Sequence, residues 1–211
     1  MRFYRTAFLK KPVDGSVKLN KDNLEGDSQS DLMNHGGYDK AVYGFSIEHH
    51  DYWKQKLSID HIDYGKFGEN LTLTELDESV IAIGDRLQIN DCILEVSQPR
   101  IPCYKISFEF KQIAMLNNFI DYAHTGVYFR VIQTGTITSN SPVEIIYKHP
   151  ENVTIKDLFL AHFDSKFPDQ EKVLRQAVEI PELAEAWRKK INDRLHLIDL
   201  YYERQRKSIK G

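Results

Sequence analysis

The chain has 211 residues, room for one large domain and a small appendage. An apolar share of 41% excludes wholesale disorder, and a net charge of −3 gives no global reason to expect a nucleic-acid binder. Two cysteines, Cys92 and Cys103, are too few for a disulfide framework or a structural zinc site. No stretch approaches a membrane span, and Met1–Thr6 lacks an apolar signal core. A cytoplasmic, reducing location away from the membrane is therefore expected.

In chain order, Phe3–Leu9 reads as a strand, and Pro12–Gly15 as a turn into a short run at Ser16–Leu19. Leu24–Asp31 is polar with no apolar period. In Asn34–Lys40 the adjacent Gly36 and Gly37 permit close backbone approach and an anion cradle of N–H groups, or form a plain surface turn. Ala41–Phe45 reads as a strand closed by Ser46, which is expected to cap a helix running to Leu57. Adjacent His49 and His50 cannot face the same way on that helix and read as surface or rim residues; His61 stands without partners. Gly68, Glu69 and Asn70 sit at a turn leading into Leu71–Thr74, either as binding groups or as an ordinary self-capped turn. Val80–Asp85 reads as an apolar strand. Arg86–Asn90 and Cys92–Val96 read as a hairpin around Asn90-Asp91.

The stretch Ser97–Lys105 stands out. Pro99 and Pro102 should stop the strand ladder, placing Cys103 on a stiff loop just past a strand end. A thiol between the cations Arg100 and Lys105 should be richer in thiolate, the form that attacks electrophiles and binds soft metals. The alternative is a buried loop cysteine without chemistry.

From Tyr104 to Asp121 the spacing is mostly helical, with Ile106, Ile113, Leu116 and Ile120 on one predicted buried side. Phe108, Phe110, Phe119 and Tyr122 read as core rather than as a stacking platform. Gly126 ends that region. Val127–Ile132 and Val143–Tyr147 read as strands, with a turn at Gly135 between them. Short strands separated by glycine turns argue for a closed barrel or sandwich. Beyond Pro150 the composition turns helical: Ile155–Phe163 with Thr154 as N-cap, Asp169–Val178, Pro181–Lys190 with Pro181 as first helical residue, and Arg194–Lys207. Leu183, Trp187 and Ile191 share one buried stripe. The expected division is a β domain over 1–155 and a helical domain over 156–211.

The ordered set Glu25-Gly26-Asp27, His35-Gly36-Gly37-x-Asp39-Lys40-Ala41-Val42-Tyr43, Phe67-Gly68-Glu69-Asn70-Leu71, Gly84-Asp85 and Gln98-Pro99-Arg100-x-Pro102-Cys103 resembles the MOSC domain. That family is related to the C-terminal part of molybdenum cofactor sulfurases. The segment after it resembles the three-helix domain of the YiiM-type subfamily. The resemblance implies a mainly β fold, a barrel like that of pyruvate kinase, with a small C-terminal all-α domain. It implies that Cys103 binds the molybdenum of a molybdopterin cofactor; pyridoxal phosphate is not expected. It further implies reduction of N-hydroxylated compounds, such as hydroxylaminopurine base analogues, and a role in detoxification. With no cysteine cluster for an iron–sulfur centre, electrons would come from a separate flavoprotein-type reductase.

Around that cofactor, Arg100, Lys105 and Lys40 are assigned to the pterin phosphate, with Gly36 and Gly37 amides assisting. Gly68, Glu69 and Asn70 would contact the pterin or shape its pocket. His35, with an ordinary pKa near neutrality, would donate a proton to the leaving hydroxyl, or else only orient its loop. Two other functions use the same residues: a sulfur carrier with persulfide on Cys103, and a non-catalytic cofactor-binding module. Acidic residues throughout the helical part argue against nucleic acid despite the basic end. The oligomeric state is open, with a homodimer among the expectations.

Overall fold

The computed structural model describes residues 10–27 and 37–209. The expected strand Phe3–Leu9 and the site candidates His35 and Gly36 lie outside the described residues. Within them, β1 (Ser16–Leu19) precedes β2 (Val42–Ser46), α1 (Glu48–Leu57), β3 (Leu71–Leu73), β4 (Arg86–Ile89) and β5 (Cys92–Pro99). Then come α2 (Lys105–Glu109), α3 (Met115–Tyr122), β6 (Val127–Gln133), β7 (Gly135–Thr138) and β8 (Val143–Tyr147). The helices α4 (Ile155–Phe163), α5 (Gln170–Glu179) and α6 (Glu185–Ile209) end the chain. Among the described residues a half-barrel sheet runs β3-β2-β6-β5-β4-β8, antiparallel except for the β2–β3 pair, and β1 pairs with β7.

Apolar packing lies on both faces of this sheet. Val42 of β2 joins a large aliphatic core with Leu94, Val96 and Phe129. Tyr43 and Phe45 turn into a second, aromatic cluster with Trp53, Phe67, Ile106, Met115 and Phe119. Every residue of β2 is buried, as expected of a strand covered on two sides. The aliphatic core continues without a break into Leu158, Phe159, Leu174, Trp187 and Ile191 of the C-terminal helices.

Several local expectations are corrected. β5 runs through Pro99, which pairs with Val127 of β6. β4 reaches only Glu95, and the Pro99 carbonyl accepts from Trp187 Nε1 at 3.0 Å, away from β6. The missing proline N–H thus faces a side where no strand needs it. Val80–Asp85 is a turn rather than a strand, bridged at Ala82 to Thr154 and hydrogen-bonded to Val96 of β5 through Gly84 and Asp85. Its buried Asp85 carboxylate accepts from the amides of Ala82 (3.0 Å) and His149 (2.8 Å) and so replaces a strand partner. Ser46 belongs to β2, where it pairs with Leu73, and its hydroxyl meets Glu48 instead of capping α1. Gly135 opens β7, whose Thr136 amide donates to the Asp91 carboxylate.

The expected helix after Tyr104 breaks in two at Lys111, whose φ is +52°. Ile113 is 98% exposed and Phe108 74% exposed, so neither is core. Pro181 stands before the last helix, and α6 is one continuous element where two were expected. Thr154 does cap α4, accepting from the Asp157 amide.

Because Trp187 is fully buried and bonded to β5, Trp187→Ala should lower stability by about 3–5 kcal/mol. In chemical denaturation, sheet and helix probes should move together. Two separated transitions would show that the helical segment folds on its own.

Candidate cofactor site around Cys103

Beyond Pro99 the chain leaves the sheet, and Cys103 lies on the irregular stretch before α2 as a free, half-buried thiol. Its position is set by what holds the residues before it. The Ser97 hydroxyl lies 2.6 Å from the Asp39 carbonyl and 2.9 Å from the Tyr128 carbonyl. The Ser97 carbonyl accepts from the Ala184 amide at 3.0 Å. The Arg100 amide donates to the Gly126 carbonyl at 3.1 Å.

Arg100 is 5% exposed, and Nη1 donates to the Tyr43 hydroxyl (2.8 Å) and the Phe67 carbonyl (2.7 Å). Its guanidinium carbon sits 4.5 Å from the Tyr43 ring centre and 5.7 Å from that of Phe119. Burial opposes its charge, but Tyr43, Tyr128 and Cys103 more than offset this, so its pKa is raised. Burial pushes the Tyr43 phenol well up, and Tyr128 up as well, with Arg100 opposing and Cys103 reinforcing the latter. Arg100 is a buried cation whose side chain braces the loop from the interior.

The other candidates divide. Gly37, with φ +90°, opens the short turn Tyr38–Lys40, and a side chain there would meet nothing within 4 Å among the described residues. Arg130 fastens that turn to the sheet by pairing with Asp39 (2.6 Å) and Glu95 (3.1 Å). Lys40 ends the turn, and Lys105 opens α2 two residues after Cys103, both half-buried. The Glu69 carboxylate is engaged inside the fold. The residue is 2% exposed, and its carboxylate accepts from the amides of Gly65 (2.7 Å) and Phe67 (3.0 Å) and from Thr72 (3.2 Å). Burial raises its pKa. Asn70 is spent similarly, accepting from the Tyr43 amide (2.9 Å) and donating to Asp27 (2.7 Å). With Gly68 in the same turn, these residues hold the Phe67 carbonyl where Arg100 needs it.

Sequence reasoning missed a second polar cluster. His49 and His50 are 7% and 4% exposed rather than surface residues. Fully buried Glu78 accepts on Oε2 from His49 Nε2 (2.8 Å) and His124 Nδ1 (3.0 Å), and on Oε1 from the Gly126 amide (3.0 Å). Burial alone would raise its pKa, but the His124 and His49 hydrogen bonds outweigh it and hold it at about 2. These residues lie 29 and 46 positions from Glu78, and no spacing motif announces them. His61, expected to be alone, meets Asp63 at 3.0 Å on the surface.

The comparisons agree with this architecture. The MOSC domain profile matches residues 31–144, and the YiiM-like, 3-alpha helix domain profile matches residues 153–197. YflK of Bacillus subtilis (strain 168) is 34% identical over 185 residues, 87% of this chain and 81% of that protein. A protein of Gibberella moniliformis named "Reductase" is 31% identical over 144 residues, which is 67% of this chain but 26% of that protein. The crystal structure of YiiM from Geobacillus stearothermophilus superposes with a TM-score of 0.76 at 28% identity, covering 87% of this chain and 86% of that one. The half-barrel and its C-terminal helices define a MOSC-type protein. This chain belongs to the MOSC domain family and carries the YiiM-like three-helix extension. As a family, MOSC domains are associated with molybdenum cofactor binding. No helix among the described residues is long and apolar enough to cross a membrane.

Gly126 has φ +86°, and an added Cβ would lie 2.5 Å from the Tyr43 ring and 2.7 Å from the Gly44 carbonyl. Gly126→Ala should therefore disturb Tyr43, Arg100 and the Cys103 loop together. The expected result is lower stability, by about 1–3 kcal/mol, and faster, less selective modification of Cys103 by a thiol reagent. Tyr43→Phe should do the second with less of the first.

Proposed function

We propose that this chain binds a molybdenum cofactor through Cys103 and reduces N-hydroxylated compounds, hydroxylaminopurine analogues among them. Electrons would come from a separate flavoprotein-type reductase. The observation that carries the reading is the free, half-buried Cys103 thiol on a loop braced by Arg100. Family membership and a relative named "Reductase" support the oxidoreductase class.

The donor set fits the cofactor. One soft sulfur stands ready for a soft metal, and the amino groups of Lys40 and Lys105, with the backbone at Gly37, suit an anionic pterin phosphate. When bound, such a cofactor would supply the two-electron change needed to cleave the N–O bond. The net reaction consumes two electrons and two protons, breaks the N–O bond, and releases the amine and water.

The chain's own part is positional and electrostatic. Arg100 fixes the loop that leads to Cys103 through the Tyr43 hydroxyl and the Phe67 carbonyl. Glu69 and Asn70 hold the loop that Arg100 binds, so their proposed contribution is support rather than contact. Tyr104, next to Cys103 in sequence, and Phe108 are exposed with rings 84° apart, and offer faces on which a purine can stack. His35, one residue from the Gly36-Gly37 pair in sequence, is the proposed proton donor.

Protein from a cofactor-competent host should carry near-stoichiometric molybdenum, and protein from a cofactor-deficient host none. Cys103→Ser should lose both the metal and N-hydroxylamine reduction. Persulfide on Cys103 without molybdenum would contradict the proposal and indicate a sulfur carrier; stable cofactor without turnover would indicate a binding module. Tyr104→Ala should raise KM for hydroxylaminopurine roughly fivefold, about 1 kcal/mol of lost stacking, with kcat nearly unchanged.

A further inference from the structure

His49, Glu78 and His124 come from three separate places: the first turn of α1, the turn after β3, and the loop between α3 and β6. Their donor atoms all lie within 4.8 Å of one another. Glu78 is sealed from solvent, and the two histidine side chains are 9% and 15% exposed. We propose that His49 Nε2, Glu78 Oε2 and His124 Nδ1 form a binding site for a zinc-class divalent transition ion, separate from the cofactor site at Cys103.

Two imidazoles and one carboxylate favour such an ion over magnesium or calcium, which prefer oxygen donors. In a tetrahedral zinc site the donor atoms sit about 3.4 Å apart. Here Glu78 Oε2 is 2.8 Å from His49 Nε2 and 3.0 Å from His124 Nδ1, so admitting the ion asks for about half an ångström of spreading. Glu78 Oε1 stays with the Gly126 amide, leaving Oε2 for the ion. The fourth coordination position falls to water.

The groups behind the histidines set the terms. A ligating nitrogen must give up its proton, so the other ring nitrogen becomes the donor. For His49 that is Nδ1, 3.0 Å from the Tyr122 hydroxyl, which can accept as readily as donate. For His124 it is Nε2, 2.9 Å from Lys156 Nζ, an ammonium that cannot accept. Ion binding therefore expels Lys156, which is half-buried and has a path to water. Without the ion, Lys156 completes a neutralised Lys–His–Glu chain; with it, the lysine is displaced.

The test titrates the full-length chain, stripped with a chelator, with Zn²⁺ and with Co²⁺ as spectroscopic probe. The proposal expects one ion per chain, Co²⁺ absorption of a low-coordinate nitrogen–oxygen site without a sulfur charge-transfer band, and no change on Cys103→Ser. His124→Ala and Glu78→Gln should abolish binding, and Lys156→Gln, whose amide oxygen can accept, should tighten it about tenfold. If buried Glu78→Gln fails to fold, His124→Ala, nearer the surface, carries the loss arm, with circular dichroism checking its fold. No stoichiometric binding, binding lost on Cys103→Ser, or binding indifferent to both His124→Ala and Lys156→Gln would overturn the proposal.

Discussion

A buried guanidinium holds this structure's working end together. Arg100 ties β5 to the Tyr43 phenol on β2 and to the Phe67 carbonyl, while its own amide reaches Gly126 at the start of β6. A buried charge is costly unless every donor is directed at something, and the surrounding loops meet that demand. Glu69 fixes the turn that presents the Phe67 carbonyl, and Asn70 fixes the strand that presents Tyr43. Cys103, three residues further on, inherits its place from this clamp.

The helical extension acts on the same few residues from the other side. Its Ala184 amide reaches the Ser97 carbonyl and its Trp187 indole reaches the Pro99 carbonyl. Residues 97 to 100 are thus gripped in succession by α6, β6 and the aromatic cluster under α1. The C-terminal helices share the aliphatic core with the sheet, which makes them part of the site's support. A separate docking role is not required to explain their presence.

What could be read from the linear chain was whatever depends on local chemistry. The hairpin at Asn90-Asp91, the cap at Thr154 and the stripe Leu183, Trp187 and Ile191 all follow from short-range rules, and each is present. The motif stretches were also legible, including the position of Cys103 past a strand end. The failures were tertiary. Pro99 stays in the ladder because an indole from far along the chain uses the carbonyl on its free side. The apolar run 80–85 became a turn because the Asp85 carboxylate and the Val153 and Val96 carbonyls took up the amides of Ala82, Ile83 and Gly84. Glu69 and Asn70 resemble ligand groups in sequence, but their polar atoms are used inside the fold. His49 looked like a rim residue because its partners, Glu78 and His124, are brought near only by folding.

The central claim is that the Cys103 sulfur, placed by Arg100, is the protein's ligand to the cofactor metal. X-ray absorption at the molybdenum edge of the loaded protein counts sulfur neighbours directly. The account predicts one more sulfur scatterer than the isolated cofactor supplies, and its loss when Cys103 is replaced by serine and the cofactor is added back. An unchanged sulfur count between the two proteins would contradict it.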